Sequence, residues 1–243
     1  MTQFWLSLLA VGCAFGLGMA RVRADDKPKQ TEQSFEKPVT ILVKLNYLLY
    51  LPPKYEKSDE KWPLVVFLHG AGETGKDLKM VKKHGPPKLV EKGDFPFILV
   101  SPQAPTRGWN PEAVNGLIDD VMAKYRVDPD RVYLTGLSMG GYGTWALASA
   151  YPDKFAAAVP ICGGGNQVMA SKLKNLPLWV FHGAKDTTVR PSESKTMVEA
   201  VQKAGGQVKF TIYPEAGHDS WTQAYNDPEL WKWLLSQKRT KKD

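Results

Sequence analysis

The chain is predicted to fold as an α/β protein, a mainly parallel sheet with helices on both faces and no lid domain. Three observations carry this expectation. Short apolar runs recur along the chain and alternate with longer amphipathic stretches, which implies parallel strands joined by crossover helices. One run, Leu64-Val65-Val66-Phe67-Leu68, is apolar without interruption, as a strand covered on both faces must be. Finally, a Gly-x-Ser-x-Gly segment, Gly136-Leu137-Ser138-Met139-Gly140, separates a strand-like run from a helix-like one.

The elements follow in order. Phe4–Met19 is almost wholly apolar, Val22-Arg23-Ala24 carries small residues at the two positions signal peptidase reads, and Asp25-Asp26-Lys27 is polar. Residues 1–24 therefore read as a secretory signal cleaved after Ala24. The apolar run is shorter than the about 20 residues a membrane span needs, so no stable membrane association is expected after cleavage. Residues 25–37 are polar and aperiodic and read as a flexible arm. Residues 38–237 form the expected catalytic domain. Its strand runs are Ile41–Leu51, closed by Pro52-Pro53, then Leu64–Leu68, Phe97–Val100, Val132–Thr135, Ala156–Ile161, Leu178–Phe181 and Val208–Tyr213. Val114, Leu117, Ile118, Val121, Met122 and Tyr125 share one helical stripe between two of these runs. Pro191 opens another helix, carrying Met197, Val198 and Val201 and ending at Gly205-Gly206. Asp227-Pro228 is a cap and first-turn pair for a last helix with Leu230, Trp231, Leu234 and Leu235. Residues 238–243 form a basic tail that reads as a solvated end.

The Gly-x-Ser-x-Gly segment is the strand-turn-helix signature of a nucleophile elbow. The turn is too sharp for side chains two positions either side of Ser138, which explains Gly136 and Gly140. A serine hydroxyl needs a general base, and the base needs an orienting acid. In a fold of this kind the chain order is serine, acid, histidine. The chain has four histidines, and only His218 comes late enough, just after the last strand run. Asp186, in His182-Gly183-Ala184-Lys185-Asp186, lies on the loop after Leu178–Phe181. Both positions follow the carboxyl ends of strands, where open α/β sheets place their sites. The expected catalytic set is therefore Ser138, Asp186 and His218. The oxyanion donors are expected to be the backbone N–H of Met139 and, from His69-Gly70-Ala71-Gly72-Glu73, that of Ala71, with Gly72 as runner-up. His69 and His182 read as structural histidines bonding loops at strand ends, and Asp120, Glu215 and Asp219 as solvated charges. No cofactor is expected, and no His/Asp/Glu cluster has metal-ligand spacing.

The formal charge of +7 owes much to the signal and the tail, and no aromatic residues interleave with the basic ones. Nucleic acid is therefore not an expected partner. Loss of the signal removes Cys13 and leaves Cys162, so no internal disulfide can form. Export without disulfides fits a bacterial envelope, and the protein is expected to be secreted or periplasmic.

These motifs resemble the small secreted bacterial α/β-hydrolases of the carboxylesterase, feruloyl esterase and polyhydroxyalkanoate-depolymerase-like type, and the catalytic domain of prolyl oligopeptidases. The matching stretches are Pro63–Gly75, Asp128–Trp145, Phe155–Gly165, His182–Val189 and Tyr213–Trp221. The resemblance implies the same triad, and implies that Trp109, Cys162 and Trp221 line the pocket. Similar sequences often carry Arg after the H-G-x-G-E segment where this chain has Thr74. The stretch from Cys162 to Pro177 is too short for a helical lid, so an open site with loop walls, Glu73–Gly93 and Gln103–Pro111, is expected. Such a site suits a bulky, small-molecule or polysaccharide-linked ester, with Trp109 and Trp221 available to stack on a ring. The leading expectation is a serine carboxylic ester hydrolase for short-acyl, acetyl or feruloyl esters. The alternatives are a serine peptidase of the prolyl oligopeptidase type and a non-catalytic carbohydrate-binding protein on a hydrolase scaffold.

Overall fold

The computed structural model describes residues 30–40 and 42–239. The predicted signal, residues 1–24, lies outside the described residues, as do the start of the predicted arm and the end of the predicted tail. The chain divides into two compact units, residues 1–41 and 42–243. In the first, residues 30–40 are exposed and form no helix or strand. Among the described residues no helix is long and apolar enough to cross a membrane.

The second unit is built on a seven-stranded sheet. Its strands are β1 (Asn46–Tyr50), β2 (Trp62–Leu68), β3 (Ile98–Gln103), β4 (Val127–Leu137), β5 (Ala157–Ile161), β6 (Leu178–Gly183) and β7 (Val208–Tyr213). The order across the sheet is β1-β3-β2-β4-β5-β6-β7. Only β1 runs antiparallel to its neighbour, β3, and the remaining pairs are parallel. The strand expected over Ile41–Leu51 is shorter, because its pairing begins at Asn46 opposite Gln103, the last residue of β3. Residues 42–45 lie beyond the end of β3, and Leu42 is 95% exposed.

Alternate residues of the strands feed two apolar layers. Leu64, Val66, Leu68 and Val100 face helices α2 (Pro111–Lys124), α3 (Met139–Ala150) and α4 (Pro191–Lys203), meeting Val114, Trp145 and Met197. Val65, Phe67, Leu99 and Phe181 face α1 (Gly85–Leu89), α5 (Ser220–Asn226) and α6 (Pro228–Ser236), meeting Tyr225, Leu230 and Leu234. Burying a side chain such as Phe67 contributes about 1.5–3 kcal/mol. The helix starts are capped as their residues dictate. Asn110 accepts from the Ala113 N–H ahead of Pro111, and Asp227 accepts from the Glu229 N–H ahead of Pro228. Each cap satisfies a donor that has no partner within the helix. The tail departs from its expected solvated reading at Arg239, which pairs with Asp130 at 3.0 Å and donates its backbone N–H to the Asp130 carbonyl.

Candidate active site

Ser138 stands between β4 and α3 with φ 53° and ψ −117°, a backbone conformation that a non-glycine residue adopts only under strain. Strain of this kind costs about 1–3 kcal/mol and persists only where neighbours hold it. Here the Ser138 N–H donates to the Ile161 carbonyl at 3.0 Å, and the Tyr142 N–H closes the first turn of α3 on the Ser138 carbonyl. The flanking glycines are required by close approach. A Cβ on Gly140 would stand 1.8 Å from the Leu68 carbonyl oxygen, and one on Gly136 would stand 2.4 Å from the Gly140 carbonyl oxygen.

The sheet brings together three residues far apart in the chain. His218 Nε2 lies 2.9 Å from Ser138 Oγ, and His218 Nδ1 lies 2.7 Å from Asp186 Oδ2. An ionised carboxylate only accepts, so Nδ1 carries the proton and Nε2 is left to accept from the serine hydroxyl. Asp186 is 4% exposed and fully bonded: its Oδ1 accepts from the Thr188 and Val189 N–H groups, each at 2.9 Å. Its Oδ2 also faces His182 Nε2 at 3.2 Å. His182, expected as a loop-bonding histidine, does bond the loop, with Nε2 2.9 Å from the Val189 carbonyl and Nδ1 2.8 Å from Ser194 Oγ. Its contact with Asp186 was not anticipated. The spacing of four residues around a strand end was the only signal for it.

Among the described residues, neither the Ala71 nor the Met139 N–H has a hydrogen-bond partner within the protein. Met139 is the first residue of α3, where the helix leaves its N–H groups unpaired. The loop carrying Ala71 is anchored by His69, whose Nδ1–H donates to the Gly70 carbonyl while Nε2 accepts from the Ala104 N–H at 3.0 Å. Burial lowers the His69 pKa, opposed by the Gly70 hydrogen bond and the Glu73 carboxylate. The neutral ring is the form that can accept from Ala104.

The three residues expected around the pocket separate into two positions and one correction. Trp109 lines an open cleft of about 460 Å³ with Ala71, Met139 and Tyr142. Its Nε1–H donates to the His69 carbonyl at 3.2 Å, and its ring packs edge-on against His69. Trp221 packs edge-on against His218 at 5.2 Å between ring centres and borders a smaller cleft of about 180 Å³ with His84 and Lys88. Cys162 does not line a cleft. It is fully buried where β5 ends, and that burial pushes its thiol up to about 12. The chain turns there with φ 40°, which tucks the side chain under the site instead of toward solvent.

Ligand atoms of Cys162, Asp186 and His218 lie within 4.8 Å of one another, a grouping that the sequence spacing did not disclose. Its donors suit a metal poorly. The thiol is fully buried, and the carboxylate and imidazole are already bonded to each other. Tyr142 at the cleft, and Glu73, buried with its carboxylate 3.8 Å from His84 Nε2, were also not singled out by sequence.

Comparison with known proteins identifies relatives of the chain. Poly(3-hydroxyalkanoate) depolymerase C of Paucimonas lemoignei is 28% identical over 180 residues, which cover 56% of this chain and 44% of that protein. Feruloyl esterase B of Talaromyces funiculosus is 24% identical over 205 residues, covering 77% of this chain and 52% of that one. The crystal structure of a thermostable esterase superposes with a TM-score of 0.70 at 35% identity, over 81% of this chain and 60% of that one. The chain thus spans less than two thirds of the length of each. Residues 107–229, which run from the Trp109 loop through the Ser138 turn and past His218, match the dienelactone hydrolase family. With its mostly parallel seven-stranded sheet and helices on both faces, the chain belongs to the dienelactone hydrolase family of α/β-hydrolases.

Proposed function

We propose that this protein is a secreted serine carboxylic ester hydrolase acting through an acyl-enzyme on short-acyl, acetyl or feruloyl esters, carbohydrate-linked ones included. The observation that carries the reading is the unbroken hydrogen-bond chain Ser138–His218–Asp186, at 2.9 and 2.7 Å. Ser138 Oγ attacks the ester carbonyl carbon as His218 Nε2 takes its proton. Asp186 holds the imidazole in the required tautomer and stabilises the imidazolium. The carbonyl oxygen, now an oxyanion, is met by the unpaired N–H groups of Met139 and Ala71, each worth about 2.7–4 kcal/mol in comparable sites. His218 then returns the proton to the leaving alcohol as the C–O bond breaks. Water, deprotonated by the same imidazole, releases the acid and restores Ser138.

Relatives named as an esterase, a feruloyl esterase and a polyester depolymerase support the reaction class. Export is supported by the Phe4–Met19 run and the Val22-Arg23-Ala24 site. The test is turnover of p-nitrophenyl acetate, butyrate and octanoate and of methyl ferulate, beside Ser138→Ala. Loss of the nucleophile is expected to lower kcat by about 10⁴-fold or more. Turnover that survives in Ser138→Ala, or no turnover of any ester by the native protein, would overturn the proposal. Cleavage of a peptide without ester turnover would point instead to a peptidase, and binding without hydrolysis to a carbohydrate-binding protein.

A further inference from the structure

The cleft bordered by Ala71 and Met139 and the side of the site occupied by His218 and Trp221 differ in what the reaction can send into each. The leaving oxygen must come within reach of His218 Nε2, so the alcohol side of an ester lies toward His218 and Trp221. The carbonyl oxygen is directed at the Met139 and Ala71 N–H groups. The remaining substituent, the acyl chain, then extends away from His218, into the cleft that Ala71 and Met139 border. We propose that this cleft of about 460 Å³ is the acyl subsite and takes a planar, ring-bearing acyl group, with Trp109 and Tyr142 as the two rings that select it. The inference rests on the ester hydrolase reading above and names the substrate class for it.

Both rings are held in place before any substrate arrives. The Trp109 indole is fixed by its hydrogen bond to the His69 carbonyl and lies directly on Gly143, where an added Cβ would stand 2.7 Å from a ring carbon. Tyr142, one residue earlier on α3, is 38% exposed, enough to offer a face to a ligand. Its position is set from the far side of the site. An added Cβ on Gly164 would meet the Glu193 carboxylate at 2.6 Å and Tyr142 Cε1 at 3.1 Å, so α4 and the β5 loop converge on this side chain. Burial, and next the Glu193 carboxylate, raise the Tyr142 pKa, and the hydroxyl is hydrogen-bonded to Glu193, which helps to hold the ring in place. Fixed rings favour a rigid, flat ligand over a flexible chain, because little conformational freedom is lost on either side when they meet.

The test reverses which side of the ester carries the ring. Methyl cinnamate has it on the acyl side and phenyl acetate on the alcohol side. Losing one aromatic contact is expected to lower the ratio of kcat/KM for methyl cinnamate to that for phenyl acetate about 5- to 10-fold in Tyr142→Ala, with Tyr142→Phe near the native ratio. Ala146→Trp, at an exposed helix position in the same cleft, needs no core rearrangement and is expected to lower the ratio in the same sense by filling the space. A ratio unchanged in both Tyr142→Ala and Ala146→Trp, or one that rises, would overturn the subsite. Phenyl acetate turnover that is lost in Ser138→Ala tests the ester reading separately, so failure confined to cinnamate overturns the subsite alone. No turnover of either ester overturns both.

Discussion

Replacing Gly140 with alanine tests whether the elbow and the oxyanion loop form one rigid unit. The added Cβ would stand 1.8 Å from the Leu68 carbonyl oxygen, 2.5 Å from its carbon and 2.8 Å from the His69 carbonyl oxygen. All three atoms are backbone, so no side chain can swing aside. Bringing the closest contact from 1.8 to 3.0 Å, the shortest spacing a Cβ tolerates, requires a separation of 1.2 Å between the start of α3 and the end of β2. The first carries Met139, and the second leads three residues on into the loop of Ala71. Misplacement by about 1 Å is worth about 10²-fold in rate, and overpacking costs about 1–3 kcal/mol of stability. Gly140→Ala is therefore expected to lose about two orders of magnitude in kcat/KM and several degrees in Tm, read by ester turnover and thermal melting. Gly116→Ala is the control. It lies inside α2 with nothing within 4 Å of the new Cβ, and should raise stability by about 0.5–1 kcal/mol with activity unchanged. A Gly140→Ala protein with native Tm and native kcat/KM would refute the reasoning.

Two further outcomes follow from the buried histidines. His182→Gln removes an imidazole that joins Asp186, the Val189 carbonyl and Ser194. It is expected to lower stability by about 1–3 kcal/mol in urea unfolding, with a loss of kcat that Asp186→Asn does not compound fully, since both act through one carboxylate. Strictly additive losses would argue that His182 acts elsewhere. For His69, burial lowers the folded pKa below the unfolded value of 6.5, so near that pH the unfolded chain binds more protons than the native protein. Its stabilising contribution is present above pH 6.5 and declines as pH falls through 6.5 toward the lower folded value. The urea midpoint should accordingly rise from about pH 5 to pH 7, with a smaller rise in His69→Gln; an identical rise in both proteins would exclude this source.

Much of the architecture was legible because it depends on local rules. Continuous apolar runs identified the buried strands, and Val208–Tyr213 coincides with β7 from end to end. Pro191 and Asp227-Pro228 located α4 and α6 at their first residues, and the Val114–Tyr125 stripe identified α2. Gly136 and Gly140 declared the sharp turn around Ser138, and chain order selected Asp186 and His218. The misreadings arose where local pattern and tertiary partner part company. Residues 42–45 look like strand but lie beyond the end of β3, and Cys162 follows a strand as pocket residues do but turns inward at φ 40°.

Composition, periodicity and turn chemistry thus determined the fold class, the elbow and the order of the candidate site residues, since each acts within a few positions of the chain. The tertiary structure alone decided what meets what: His182 beside Asp186, Glu193 behind Tyr142, Trp109 on Gly143, and Cys162 sealed beneath the site. Such contacts join residues from different strands and helices. They depend on the order and register of strands in the sheet, and no single stretch of sequence encodes these.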